Sequence, residues 1–422
     1  MKKFKKILSI INYIWIIIIL IYMFIGSLAV SFFKFKLGMY ANVFYILNII
    51  SLILCILNYI FKGKFKYTDL FIFILIFIAL LSTYMSDYKE VAIWGLKTRC
   101  EGMIMIICYY LLYLLSTYIN NKDKRYILIT ILSLGVIQVF IGILQQERIL
   151  KGYTELYVRG LVGNSNFYST QNLIWLGLSL GLFIFSKKYL YIPLIFIFSV
   201  GLFLGGAMSC IVGLLCIIVS IIVIFIVNRK YLNIKECIIK FIISILVIIG
   251  TVIFTGLVTN NPLINDLKEL FVQSSDVVIN HEVSDNYGTG RIEIWKKTIP
   301  KVKDYFWIGI GIDCFKYIFK PFFVNEAGIV TKAHNEYLQY LITEGIYCLS
   351  FYLLLILFST MNNIKRSRDN NYNYKDYAYL LCIIGYITQA FFNISVIRVA
   401  PIYYIVLGLC IKRNLEDNLN EK

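Results

Sequence analysis

The stretch NYGTGRIEIWKKTIPKVKDYFWIGIGIDCFKYIFKPFFVNEAGIVTKAHNEYLQYLITEGIYCLS, residues 286–350, decides how the rest of the chain is interpreted. It is polar and broken by glycines, whereas the sequence around it is apolar. Arg291 opens a helical pattern after a glycine-containing loop, and Pro300 is predicted to kink that helix. His334 is predicted to lie in the first turn of the long apolar helix that follows. A guanidinium and an imidazole at the starts of two helices indicate a site for chemistry.

The composition is that of an integral membrane protein. Of the 422 residues, 59% are hydrophobic and only 15% are charged, and the apolar runs are long enough to cross a bilayer. The basic residues 2–6 lead into an apolar run without a small-residue cleavage site, so we expect no cleavable signal peptide. The ten cysteines show neither CxxC nor metal-ligand spacing. We attribute the net charge of +17 to cytoplasmic loops that face anionic lipid, and we expect no nucleic acid as a partner.

Twelve apolar segments have the length of roughly 20 residues that a transmembrane helix needs. The predicted fold class is therefore an all-α integral membrane protein with about twelve transmembrane helices. One long apolar run is divided at Gly205-Gly206, which keeps both termini on one side. Residues 1–258 hold helices 1–9, residues 259–334 form a large extracytoplasmic loop with interfacial helices, and residues 335–422 hold helices 10–12 and a short cytoplasmic tail. The twelve segments are 7–33, 40–61, 68–84, 102–119, 126–146, 167–185, 189–206, 208–227, 238–258, 335–360, 377–392 and 399–411.

The distribution of lysine and arginine predicts the orientation. The segments assigned to the cytoplasm hold 21 of these residues, and the short segments on the other face hold 9. Since cytoplasmic loops are enriched in basic residues, both termini are predicted to be cytoplasmic and the connection 259–334 extracytoplasmic. The expected location is the bacterial cytoplasmic membrane, where membrane lipids surround the helices.

Three of the arginines predicted on the outer face, where basic residues are sparse, are candidates for a functional role. Arg99, Arg159 and Arg291 lie at or near the N-termini of predicted helices, where unpaired backbone N–H groups favour an anion. Guanidinium groups bind phosphate oxygens in a bidentate way, so a shared pyrophosphate is the functional interpretation. The alternative is an interfacial role, since arginines at helix ends also contact lipid headgroups. After Arg159 a glycine-rich segment leads into a helix, with Asn164 or Ser165 as its predicted N-cap.

One of the two histidines is placed where a general base would be needed. The N-terminus of a helix disfavours imidazolium, so His334 is predicted to be neutral and able to accept a proton. Asn335, Gln339 and Thr343 follow at helical spacing, and this polar stripe is predicted to face the bundle interior or a wet cavity. The alternative is a histidine that caps the helix or lies in the membrane interface.

The other histidine, His281, lies near Glu282 and Asp285. Their spacing fits no known metal-binding scheme, so we interpret this segment as a solvated loop and expect no metal. No paired acidic motif occurs on the predicted outer face. Metal-assisted sugar transfer is therefore not expected.

Three segments carry a resemblance to a known family. GRIEIW (290–295), GIGIDCF (309–315) and AHNEYLQYLITEGI (333–346) resemble the signature region of the O-antigen ligase and polymerase superfamily. Its members are membrane glycosyltransferases that use polyprenyl-pyrophosphate-linked glycans. The resemblance implies His334 as general base, the outward arginines as pyrophosphate ligands, a glycan or lipid-linked acceptor, and no cofactor. Relatives tend to carry Ser-Arg after the seventh span, whereas residues 205–210 are GGAMSC here, so a role for that position is not carried over.

The predicted function is transfer of a glycan from polyprenyl pyrophosphate to an acceptor hydroxyl at the extracytoplasmic face, as polysaccharide polymerisation or ligation. A transporter or flippase of lipid-linked oligosaccharide is the main alternative, and it would also explain the spans and the arginines. Such a protein favours paired halves and charges deep in the membrane, whereas this sequence has one large loop and charges near the ends of its spans. A structural membrane protein is a second alternative, and it leaves the polar stripe below His334 unexplained.

Overall fold

The computed structural model describes residues 2–63, 65–147, 157–258, 263–275, 288–325, 328–369 and 374–411. The described part is helical apart from short loops and one two-stranded hairpin. The hairpin pairs β1 (Val324–Asn325) with β2 (Gly328–Ile329) in antiparallel fashion. The helices are α1 (Lys2–Phe32), α2 (Leu37–Lys62), α3 (Tyr67–Met85), α4 (Lys89–Trp94), α5 (Met103–Thr117), α6 (Lys124–Gln146), α7 (Ser165–Ile184), α8 (Ile192–Gly205), α9 (Met208–Val227), α10 (Ile234–Val258), α11 (Leu263–Ser275), α12 (Arg291–Thr298), α13 (Val302–Tyr305), α14 (Glu336–Asp369), α15 (Tyr374–Ala390) and α16 (Ala400–Leu409).

Each of the twelve predicted spans contains one of these helices, with ends that differ by a few residues. Seven described helices are long and apolar enough to cross a membrane, namely α1, α2, α3, α6, α9, α10 and α14, and α5, α8 and α16 are shorter apolar helices. The predicted division at Gly205-Gly206 is confirmed, because α8 ends there and Gly206 has a left-handed φ of 65°. A Cβ atom on Gly206 would lie 2.0 Å from the ring of Tyr157, so glycine is required at this turn. The fold is therefore that of an all-α membrane protein.

Helix α7 lies at the centre of the bundle. Every side chain from Phe167 to Ile184 is buried, and α8, α9 and α15 pack around this helix. In contrast, α2 exposes Ile46 and Ile60. A helix that is apolar on all sides belongs in the interior, while an exposed apolar face suits contact with lipid tails. The start of α7 is thus the natural place to look for a site, since the surrounding helices converge on it.

Helix α14 is interrupted at Gly345. Residues 309–311, called the extended segment below, lie against this interruption. Gly345 has φ 86° and ψ 177°, which ends the helical hydrogen bonding there. The N–H groups of Ile310 and Gly311 donate to the carbonyl oxygens of Ile342 and Thr343 at 3.1 and 2.9 Å. Irregular backbone beside a membrane helix is tolerated when its polar groups are satisfied by the protein, as they are here. The extended segment is in this way hydrogen-bonded to α14.

The helix predicted to start at Arg291 is interrupted at Pro300. Helix α12 ends at Thr298, a 3-10 turn spans Ile299–Lys301, and α13 begins at Val302. Proline lacks the N–H that a continuous helix would need, so the α-helical hydrogen bonding is broken at this point. The outcome is a pair of short helices that carries Arg291 at its start.

Candidate functional site

The start of α7 brings one predicted arginine against the helix. Asn164 is the N-cap, because its Oδ1 accepts from the N–H groups of Asn166 and Phe167 at 2.9 and 3.3 Å, as predicted. The guanidinium of Arg99 lies 5.9 Å from the centroid of the Phe167 ring, within the range of a cation–π interaction. Arg99 is therefore positioned over the first turn of α7.

Arg291 approaches the same region from the other side. Burial lowers the pKa of its guanidinium, and the nearby Cys210 thiol acts in the opposite direction. Cys210, in the first turn of α9, has its Sγ 3.7 Å from Oγ1 of Thr170 in α7. The Nη1 of Arg291 donates to the carbonyl oxygen of Gly288 at 3.2 Å, whereas its buried Nε has no hydrogen-bond partner within the described residues. A buried guanidinium N–H that no described protein group accepts is suited to an anionic ligand.

His334 lies within electrostatic range of both arginines, but its backbone differs from the prediction. The residue precedes α14 in a left-handed conformation with φ 49°, and it does not belong to the first turn. The reason is local: Asn335 Oδ1 accepts from the N–H of Leu338 at 3.0 Å and so caps the helix that begins one residue later. Burial first, and then the positive charges of Arg291, Arg99 and Lys332, together lower the pKa of His334 to about 4. The imidazole is therefore neutral at physiological pH.

The residue before His334 is held on both sides. The N–H of Ala333 donates to Gln339 Oε1 at 2.9 Å, and its carbonyl oxygen accepts from Trp295 Nε1 at 2.9 Å. Gln339 is buried, and its Nε2 has no partner within the described residues. The polar stripe that begins at Asn335 thus supports the loop that carries the imidazole and lines a cavity beneath it.

Arg159 occupies a different position. It is exposed and immediately precedes the 3-10 turn Gly160–Val162, which leads into the cap of α7. The turn is anchored by Gln145, whose side chain forms hydrogen bonds with both the N–H and the carbonyl oxygen of Gly160. Arg398 Nη1 also donates to the carbonyl oxygen of Leu161 at 3.0 Å. The structure therefore brings Arg99 and Arg291 within electrostatic range of His334, while Arg159 lies on the turn that leads into α7.

A set of buried charges below the site was missed by the sequence analysis. Lys332 Nζ lies 2.6 Å from Asp313 Oδ1, and both side chains are buried. The other oxygen of Asp313 accepts from the N–H of Leu96 at 2.6 Å. Burial raises the pKa of Glu101 to about 7, against the opposing effects of the Lys332 charge and the hydrogen bond from Tyr109. These groups line a cavity of about 20 Å³, enough for one water molecule.

Helix α14 contributes two further carboxyl groups to this cavity. Glu336 accepts hydrogen bonds from the hydroxyls of Tyr352 and Tyr386 at 2.8 and 3.0 Å, and Glu344 accepts from Cys348. Ionisable residues inside an apolar helix are by themselves a sign of function. That signal was present in the sequence at Glu336 and Glu344, whereas nothing local pointed to the pairing of Lys332 with Asp313.

Metal binding receives no support from the described part of the chain. No group of three or more histidine, cysteine or acidic side chains there is arranged to hold a metal ion. His281, with Glu282 and Asp285, lies outside the described residues.

The helices and the buried site together define a multi-pass membrane protein with an imidazole and several guanidinium groups at one end of its bundle. Residues 193–353 match the family model described as O-Antigen ligase, and this match supports the O-antigen ligase superfamily. The matched region begins in α8 and ends within α14, so it includes Arg291 and His334 but not Arg99 or Arg159. No curated protein matches the chain significantly.

Proposed function

We propose that this protein is a bacterial membrane glycosyltransferase that transfers a glycan from polyprenyl pyrophosphate to an acceptor hydroxyl at the extracytoplasmic face. The family match supports a membrane glycan ligase or polymerase. The observation that carries the proposal is that the charges of Arg291 and Arg99 both act on one neutral imidazole, His334, although the three residues are far apart in sequence. A proton acceptor beside phosphate-binding groups is what such a transfer requires.

The chemistry needs two contributions from the protein. The acceptor oxygen attacks the anomeric carbon, the bond from that carbon to the pyrophosphate oxygen breaks, and the acceptor proton moves to His334. General base catalysis of this kind typically contributes ~10²–10⁴-fold. Attack opposite the departing oxygen inverts the anomeric centre. The proton leaves His334 to solvent before the next turnover.

The arginines act on the leaving group. Negative charge accumulates on the bridging oxygen of the pyrophosphate as it departs, and preorganised donors stabilise that charge. Arg291 offers a buried Nε–H that no described protein group accepts, and Arg99 lies against the capped start of α7. Arg159, exposed on the neighbouring turn, is assigned to the outer phosphate.

The lowered pKa of His334 agrees with this division of roles. The base stays unprotonated because burial, and then the positive charges of the two arginines and Lys332, disfavour the imidazolium. The same cations favour the pyrophosphate. The site is therefore arranged to bind an anion without protonating its own base.

The test is transfer by the purified protein in nanodiscs from a polyprenyl-pyrophosphate-linked glycan to an acceptor glycan. We expect His334→Ala to lower the rate by ~10²–10⁴-fold, with the protein still folded and the donor still bound. The matched control is His281→Ala, which should keep the wild-type rate. Wild-type transfer by the His334 variant would disprove the proposal. Donor movement across liposomes without any transfer would identify a transporter instead.

A further inference from the structure

A buried ion pair connects the loop of His334 to a distant segment. Lys332 is 4% exposed and Asp313 is 2% exposed, and Nζ lies 2.6 Å from Oδ1. Burying two charges is costly unless they are paired and their other hydrogen-bonding positions are filled. Asp313 meets that requirement in part, because Oδ2 accepts from the N–H of Leu96. The contact is thus a close, buried ion pair whose acidic partner is also bonded to the loop before α5.

Asp313 is itself on a rigid support. It follows the extended segment that is bonded to α14 at the Gly345 interruption. The hydroxyl of Ser86, immediately after α3, donates to the carbonyl oxygen of Ile310 at 2.8 Å, and that of Ser82 in α3 donates to the carbonyl oxygen of Thr343 at 2.9 Å. Asp313 therefore occupies a position fixed by two membrane helices.

The other end of the pair is two residues from the imidazole. His334 has a left-handed backbone, which a residue with a Cβ adopts only at a cost in conformational energy. Such a conformation persists only when the surrounding structure holds it. Here the Lys332 side chain is held by Asp313, and Ala333 is bonded to Gln339 and Trp295. The direction of the imidazole follows from these contacts.

The pair also shapes the charge that the imidazole experiences. Arg291 in α12, Arg99 in the loop before α5, and Lys332 beside it all act on His334 as cations. Lys332 is in turn faced by carboxyl groups of the cavity, contributed by Asp313, Glu101, Glu336 and Glu344. Of these, Asp313 is the one in direct contact with the ammonium.

We propose that Asp313 and Lys332 are positioning residues, which hold the backbone at His334 and balance the cationic charge around its ring during glycan transfer. This inference rests on the proposed function, in which His334 is the base. Neither residue contacts the reacting atoms in this scheme. Their effect passes through the loop and through the electrostatic field.

The test reads the imidazole directly. The chain has two histidines, so ¹⁵N-histidine labelling in a His281→Gln background leaves a single ring to titrate by NMR in nanodiscs. Asp313→Asn leaves the Lys332 charge unbalanced and should lower the pKa of His334. Lys332→Met removes a cation and leaves the Asp313 carboxylate without its counter-charge. This variant should raise the pKa of His334 by on the order of one unit. The matched control is Lys303→Met, an exposed lysine in α13, which should leave the titration unchanged.

The double variant Asp313→Asn/Lys332→Met removes both charges. It tests the inference even if one of the single variants fails to accumulate. We expect its His334 titration to lie between those of the single variants, and its transfer rate to fall by about tenfold to a hundredfold because the loop loses its tether. A wild-type titration and a wild-type rate in the double variant would overturn the inference, as would single variants whose titrations do not move in opposite directions. If the NMR titration of His334 shifts in these variants but the pH–rate profile does not, the pair acts on the imidazole as proposed. In that case His334 is not the base, and the proposed function fails while this inference stands.

Discussion

The indole Nε1 of Trp295 donates to the carbonyl oxygen of Ala333 at 2.9 Å. This bond joins α12, which carries Arg291 at its start, to the residue immediately before His334. The helix of the proposed phosphate ligand is therefore hydrogen-bonded directly to the loop of the proposed base, although the two come from opposite ends of the 288–334 region. The ring of Trp295 also contacts Phe391 at the end of α15, with 5.6 Å between ring centroids, which fixes the indole from a third element.

Replacement of Trp295 by phenylalanine should keep the ring packing and remove only this hydrogen bond. A net contribution of about 0.5–1.5 kcal/mol per bond corresponds to a roughly 2- to 13-fold loss of transfer rate if the loss falls on the transition state. The measurement is kcat/KM for transfer in nanodiscs. Trp307→Phe is the matched control, because that indole is 60% exposed and belongs to a different segment. Equal rates for the two variants would show that the Trp295 bond does not position the site.

The arginines should not tolerate lysine. If Arg159 and Arg291 bind pyrophosphate through paired guanidinium N–H groups, lysine keeps the charge but loses the bidentate geometry. Losing one charge-assisted hydrogen bond of roughly 1.5–3 kcal/mol should slow transfer by about tenfold to a hundredfold. The double variant should be non-additive, since both groups act on one ligand. Arg229→Lys, in the turn beyond the far end of α9, is the control. Wild-type rates in both site variants would indicate that these arginines contact lipid headgroups and do not bind the pyrophosphate.

The pH dependence of transfer should follow the lowered pKa of His334. With a pKa of about 4, the imidazole stays neutral from pH 8 to about pH 5, and the acid limb of kcat/KM should have its midpoint near pH 4. A solvated imidazole would place that limb near pH 6.5. The same shift affects stability: the unfolded chain takes up a proton below about pH 6.5 and the folded chain does not until about pH 4, so the free energy of unfolding should fall as the pH falls through this window. A limb near pH 6.5 would contradict the buried environment described for the ring.

The orientation of the protein can be tested by thiol labelling. The ten native cysteines are buried or, at Cys216, partly buried, so an introduced exposed cysteine should dominate the signal. Ser284→Cys should react with a membrane-impermeant reagent in intact cells, because the 259–334 connection is predicted to be extracytoplasmic. Lys187→Cys, in an exposed turn predicted to be cytoplasmic, should react only after permeabilisation. The reverse pattern would place the proposed site on the cytoplasmic side.

Local patterns in the sequence predicted the helices and much of the site. The lengths of the apolar runs predicted twelve spans, and each of these contains a helix. The residue types before α7 predicted its N-cap, Asn164. Both signals lie within a single stretch of the sequence. The left-handed backbone of His334 was not predictable, since it depends on a cap at Asn335 and on a tether from Trp295. The Lys332–Asp313 pair joins residues that no periodicity relates.

Arg398 illustrates the same limit. Its guanidinium donates to the carbonyl oxygen of Leu161 in the turn after Arg159, a contact that no pattern in the sequence indicates. Its own carbonyl oxygen accepts from Gln171 Nε2 at 2.8 Å. Contacts between α7, the 160–162 turn and the segment before α16 decide its role, and such contacts are set by tertiary packing.

The interruption of α14 gives a prediction about stability. At Gly345 an added Cβ atom would lie 2.1 Å from the carbonyl oxygen of Trp307, and the left-handed φ of 86° disfavours any other residue. Gly345→Ala should therefore displace the extended segment that leads to Asp313, and lower the free energy of unfolding by more than the roughly 1–2 kcal/mol of backbone strain alone. The matched control is Gly250→Ala in α10, where nothing lies within 4 Å of the added atom and where alanine is the better helix former. Thermal unfolding in nanodiscs and the transfer rate should both fall for Gly345→Ala and stay at or above wild type for Gly250→Ala. A Gly345 variant with unchanged unfolding temperature and unchanged transfer would mean that α14 can close its interruption, and the extended segment would then not be the support on which the His334 loop depends.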